Sequence, residues 1–82
     1  MPTILRFRGL RVILYANDHW PPHVHVVGPD RAAKIALGSE GDYPTIVVNE
    51  GLSRRQLAEA LSQIHQNREL LRQRWREIHG DA

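Results

Sequence analysis

The sequence contains no cysteine, which excludes disulfide staples, thiolate metal sites and cysteine nucleophiles. That absence fits a reducing compartment. No apolar run approaches the roughly 18 residues of a membrane-spanning helix, so no membrane partner is expected. The N-terminus lacks a signal-peptide pattern, and a cytoplasmic location is the expectation. Eleven basic against nine acidic residues give a net charge of only +2, too small to imply nucleic acid by itself. Lysine is almost missing, because every basic residue except Lys34 is arginine. Arginine is the better residue for bidentate phosphate or carboxylate contacts. There is also no Ser-His-Asp order, phosphate-binding glycine loop or paired-carboxylate motif. The 82 residues, 41% hydrophobic and 24% charged, suit one small globular domain spanning 1–82.

What the chain does have is a dense histidine segment, Asp18-His19-Trp20-Pro21-Pro22-His23-Val24-His25-Val26. Two prolines fix φ and remove two backbone donors, so His19 lies on a stiff loop rather than in a helix. The residues that follow alternate polar and apolar, as a half-buried strand does. Strand geometry then points His23 and His25 to one face and Val24 and Val26 to the other.

Around this segment the pattern reads as short strands. Thr3 to Arg8 and Arg11 to Ala16 are expected to form a hairpin about Gly9-Leu10, pairing Arg8 with Arg11, Phe7 with Val12, Arg6 with Ile13 and Leu5 with Leu14. Leu5, Phe7, Val12 and Leu14 then make a core face. The other face carries Arg6, Arg8, Arg11, Ile13 and Tyr15, and like charges opposite one another weaken a hairpin. Either those arginines form a solvated face or they meet an anion. His23 to Val27 is a third strand, Gly28-Pro29-Asp30 a turn and Arg31 to Leu37 a fourth strand. Gly38 to Pro44 has a loop composition, and Thr45 to Asn49 is a short fifth strand.

A helix start is well marked, with Ser53 and Gln56 forming a capping box and Leu52 and Leu57 a hydrophobic staple. No Gly or Pro follows until Gly80, placed as a C′ residue should be. Leu57, Leu61, Ile64, Leu71, Trp75 and Ile78 form a stripe broken by Arg68. A single helix from about Arg54 to His79 would be about 39 Å long, against strands of about 17–23 Å. Either the chain bends near His65-Gln66-Asn67 into two helices, or the second half packs on another protein. One long, at most mildly bent helix is expected. Its overhanging Leu70, Leu71, Trp75 and Ile78 would then be a docking stripe for a cognate protein or a second copy of the chain. The expected fold is thus α+β, a mostly antiparallel sheet of four to five strands followed by that helix.

Several stretches together resemble one family, the small bacterial domain DUF4160. They are Met1-Pro2-Thr3-Ile4-Leu5-Arg6, Asn17-Asp18-His19 followed by Pro21-Pro22-His23-Val24-His25-Val26, Ala33-Lys34, Gly51-Leu52-Ser53, and Asn67-Arg68-Glu69-Leu70-Leu71 followed by Trp75. The resemblance implies a small α+β domain, encoded as one of two genes beside a DUF2442-like partner in a toxin–antitoxin-like arrangement. It marks His19, His23, His25 and Lys34 as motif positions and brings no established activity. An acid is common shortly before the Ala-Lys pair in the family, where this chain reads Asp30-Arg31-Ala32-Ala33-Lys34.

Three kinds of chemistry suit the segment. His-x-His on a strand can converge on one ion, Zn²⁺ being the natural candidate, with His19 or Asp18 as third ligand and a position left open. Such a site needs acceptors that orient each imidazole, and the sequence alone identifies none. Alternatively, His19, His23 and His25 can act as acid and base on RNA without a metal. Lys34, Arg6, Arg8, Arg11 and Tyr15 would then stabilise the anion. Finally, the histidines can simply satisfy backbone carbonyls and fix the loop. His65 and His79 stand alone and read as surface or packing residues.

Overall fold

A computed structural model describes residues 3–80. The strands are β1 (Thr3–Phe7), β2 (Leu10–Ile13), β3 (His23–Gly28), β4 (Arg31–Ala36) and β5 (Thr45–Glu50), followed by helices α1 (Arg54–Gln66) and α2 (Arg68–His79). The strands form one antiparallel sheet in the order β1-β2-β3-β4-β5, so each pairs with its neighbour in sequence.

The first hairpin turns one residue earlier than expected. Arg8 and Gly9 occupy the turn with φ of 47° and 77°, which is the type I′ pattern that matches strand twist. Phe7 therefore pairs with Leu10, Arg6 with Arg11 and Leu5 with Val12. The shift keeps the alternation of faces, and Leu5, Phe7, Val12 and Leu14 still point to the core, now with Leu10. Arg8 leaves the arginine face and forms an ion pair with Glu59 on α1.

Alternation divides the sheet into two unlike faces. Leu10, Val12, Val24, Val26, Ala33 and Ile35 are buried under Ala60, Ile64, Leu71 and Trp75 of the helices. The opposite face carries Arg6, Arg11, Ile13, His23, His25, Val27, Ala32, Lys34 and Ala36, as the cross-strand register requires. β5 is exposed throughout and forms one edge of the sheet.

The single long helix is not formed. Asn67 interrupts it at φ −111° and ψ 21°, and its side-chain amide donates to the Gln63 carbonyl at 2.8 Å. An Asn side chain that competes for backbone partners in this way is a recurrent cause of helix termination. Arg68 closes the same corner by donating to the His65 carbonyl. The capping box at Ser53 and Gln56 is present as expected. A 39 Å rod would exceed the longest dimension of the molecule, 32 Å. The break instead lets α2 fold back over the sheet, so Leu71 (0% exposed) and Trp75 (1%) complete the domain's own core. Arg72 ties α2 down by donating to the carbonyls of Leu37 and Gly38.

Leu71 is a core residue here, so Leu71→Ala should cost about 2–5 kcal/mol in the isolated domain. Urea unfolding of the purified chain, with no partner added, measures this directly. A loss well below 1 kcal/mol would return Leu71 to the surface.

Candidate Asp-His-His centre

The connection from β2 to β3 builds the site. The Tyr15 N–H donates to Oδ2 of Asp18 at 3.2 Å, and the Asp18 N–H donates back to the Tyr15 carbonyl at 3.1 Å. This reciprocal turn aims the other carboxylate oxygen, Oδ1, at the open face of the sheet. The Trp20–Pro21 peptide is cis, and the Pro22 carbonyl accepts from the Leu37 N–H, anchoring the loop beside β4.

His23 Nδ1 lies 2.9 Å from the Pro21 carbonyl. A carbonyl only accepts, so Nδ1 carries the proton and the neutral ring keeps its lone pair on Nε2. That Nε2 lies 3.4 Å from Asp18 Oδ1, and the Nε2 of His25 lies 3.1 Å from the same oxygen. The three candidate ligand atoms all fall within 4.8 Å of one another. Burial alone would raise the Asp18 pKa. The hydrogen bond from His25, the Tyr15 backbone donor and the positive charges of His25 and His23 outweigh it, and the carboxyl sits below its ordinary value of 3.8.

A run of rings connects this centre to α2. Tyr15 packs edge-on against His25 at 4.7 Å, His25 against His23 at 5.1 Å, His23 against Trp75 at 5.3 Å, and Trp75 stacks on His79 at 3.9 Å. His79 closes the circuit by donating from Nε2 to the Tyr15 carbonyl at 3.1 Å. Its isolated position in sequence gave no sign of this contact, which spans 64 residues.

The structure sorts the candidate residues. His23, His25 and Lys34 meet in a cleft of about 360 Å³ that Asp18, His19 and Trp20 also line. Lys34 is the cross-strand neighbour of His25. His19 is exposed at the rim and stands outside the close ligand cluster, where Asp18 takes the third place. Tyr15 touches His25, while Arg6 and Arg11 sit on the same sheet face one row away. Arg8 is turned towards α1. Of the docking stripe, Leu71 and Trp75 are buried inside the domain. Leu70 and Ile78 remain half-buried beside a shallow depression with Ile4 and Arg74. The stripe assumed a straight, overhanging helix, and the break at Asn67 removes that overhang.

A family model described as a domain of unknown function, DUF4160, matches residues 9–76. The chain belongs to the DUF4160 family. No curated protein and no solved structure matches it. The DUF4160 match spans both halves of the centre, the Asp18 loop and the His-Val-His strand, as well as Trp75 on α2.

Because the folded pKa of Asp18 is depressed, its stabilising effect is full above 3.8 and fades as pH falls through the lower folded value. Asp18→Asn should therefore cost about 1–3 kcal/mol at neutral pH in metal-free buffer. The gap to wild type should narrow as pH falls below 3.8. Paired denaturation curves at neutral pH and below that value check both magnitude and sign.

Proposed function

We propose that this DUF4160 domain binds a divalent ion of the zinc class through Asp18, His23 and His25, and uses its open position for hydrolysis. The confrontation between His23 Nε2 and Asp18 Oδ1 carries the reading. With Nδ1 committed to the Pro21 carbonyl, a neutral His23 turns a lone pair towards a carboxylate oxygen 3.4 Å away. Either an added proton or a cation must lie between them. A tetrahedral ion with bonds of 2.0–2.1 Å has ligand–ligand edges of about 3.3–3.4 Å. The His23–Asp18 edge, at 3.4 Å, has that length, while the His25–Asp18 edge, at 3.1 Å, is that of a hydrogen bond and would open slightly around an ion.

The outer contacts suit the same reading. Pro21 orients His23 and the Tyr15 N–H orients Asp18, the supporting bonds that metal ligands ordinarily require. Two imidazoles and one carboxylate leave a coordination position for water, whose pKa an ion of this class lowers towards neutrality. Lys34, beside His25 in the same cleft, supplies a positive charge where an anion would develop. In the toxin–antitoxin-like pair that the family resemblance implies, such a centre would make this chain the chemically active member, with a DUF2442-like protein as its partner.

Untagged protein titrated with Zn²⁺ in a calorimeter should take up one equivalent. His25→Ala should weaken uptake by more than the 10–100-fold typical of losing a mere supporting group. Saturating the site at 100 times its Kd should stabilise the wild type by about 2.7 kcal/mol. Co²⁺ should give the visible absorption of a tetrahedral site. Absence of uptake by the wild type, or equal uptake by His25→Ala, would sink the proposal.

A further inference from the structure

Arg6 and Arg11 are direct cross-strand partners on the helix-free face. Among the described residues neither has an acidic partner, since the arginine ion pairs there are Arg8–Glu59 and Arg74–Glu77. Like charges placed opposite one another weaken a hairpin, and an anion bound between the two guanidinium groups would relieve that repulsion. The two arginines line a depression of about 580 Å³ at the hairpin end of the sheet, which takes in the Arg8-Gly9 turn and continues to Val27 and Gly28 of β3 and the following Pro29. Val27 lies two residues beyond His25 on the same strand and face, a step of about 7 Å. A second, smaller depression joins His25 and Lys34 to Ala32, the cross-strand neighbour of Val27, and to Glu50. Positive groups therefore run in one lane from Arg6 and Arg11 to Lys34, with the Asp-His-His cleft at its end.

The lane is longer than a small anion needs, and it ends at an aromatic platform. Trp20 is 57% exposed and lines the cleft beside His19. The Trp20 ring is held edge-on by Trp75 at 6.5 Å, and a fixed indole that keeps most of its surface exposed is what an unpaired base stacks upon. We infer that a single-stranded nucleic acid lies along the helix-free sheet face, its phosphates held by Arg6 and Arg11 and a base stacked on Trp20. It is thereby the substrate class of the proposed metal centre, and only that substrate role rests on the metal reading. Glu50, in the same row as Arg6 and Arg11 but on the far edge strand, lines the depression at Ala32 and Lys34 with negative charge, so the phosphate contacts fall to Arg6 and Arg11.

The test is fluorescence anisotropy with a labelled, mixed-sequence single-stranded RNA oligonucleotide, its duplex and a polyglutamate peptide, in EDTA. Single-stranded RNA should bind best, and more weakly as salt rises. Arg6→Ala/Arg11→Ala should weaken it at least tenfold and reduce the salt slope by about 1.4, two phosphate contacts at about 0.7 each. Trp20→Ala should weaken it roughly 5- to 150-fold with the slope little changed. Arg54→Ala/Arg55→Ala, at the exposed start of α1, should bind as wild type. The Arg6/Arg11 variant removes a repulsive pair, so it should melt no lower than wild type, and unfolding will not obscure the result. No binding by the wild type, equal binding by the Arg6/Arg11 variant, tighter binding of duplex or peptide, or an equal loss in the Arg54/Arg55 variant would each overturn the inference. Zinc uptake with no RNA binding would remove this inference alone. RNA binding by a protein that takes up no zinc would remove only the metal centre.

Discussion

The Asp18 carboxylate is the contact on which the cleft depends, and its two oxygens have different tasks. Oδ2 is occupied by the Tyr15 N–H and closes the loop on itself. Oδ1 is left to face both imidazole Nε2 atoms. The loop so closed presents the Tyr15 carbonyl to His79, which tethers it to the last turn of α2. Sheet, loop and helix thus share one polar node in a domain too small to spare many such contacts. Removing a charged partner from a partly buried node leaves the remaining polar groups desolvated and unmatched, which costs more than the bond itself contributes.

The meander makes the rest of the arrangement possible. With neighbours in sequence also neighbours in the sheet, period-two alternation in each strand adds up to two continuous faces. One is aliphatic and closed by Leu71 and Trp75. The other gathers the arginine pair, the histidines and Lys34, which lie on separate strands and are scattered over some thirty positions of sequence. The tolerance of a like-charge pair at Arg6 and Arg11 sits on that second face, where solvent weakens the repulsion.

Much of this was legible in the sequence. Alternation in His-Val-His-Val gave the strand and both its faces, and Ser53 with Gln56 gave the helix start, because these patterns act over two to four residues. Gly9 suggests the first position of the turn, whereas in the structure Arg8 takes that position at positive φ despite its side chain. Gly9 then follows as the second residue of a type I′ turn. The helix break is not legible because Asn67 carries no Gly or Pro signal, and the corner is held by side-chain bonds from Asn67 and Arg68 to the Gln63 and His65 carbonyls. A straight helix would carry Leu71 and Trp75 to an outside surface, and the break buries both. The third member of the centre was left open between Asp18 and His19. The decision lies in the Tyr15–Asp18 turn, a backbone geometry that composition does not reveal.

The order of elements along the chain has a consequence for its synthesis. All five strands precede both helices, and pairing between adjacent strands requires only short loop closures. The sheet can therefore begin to form while its aliphatic face still has no cover. That face is sealed last, by Leu71 and Trp75, a few residues from the end of α2. A released chain that ends before Trp75 would present the sheet with one aliphatic side open to chaperones and to other chains. Completion of the final helical turns thus covers the aliphatic face, and it also delivers His79 to the loop that shapes the cleft.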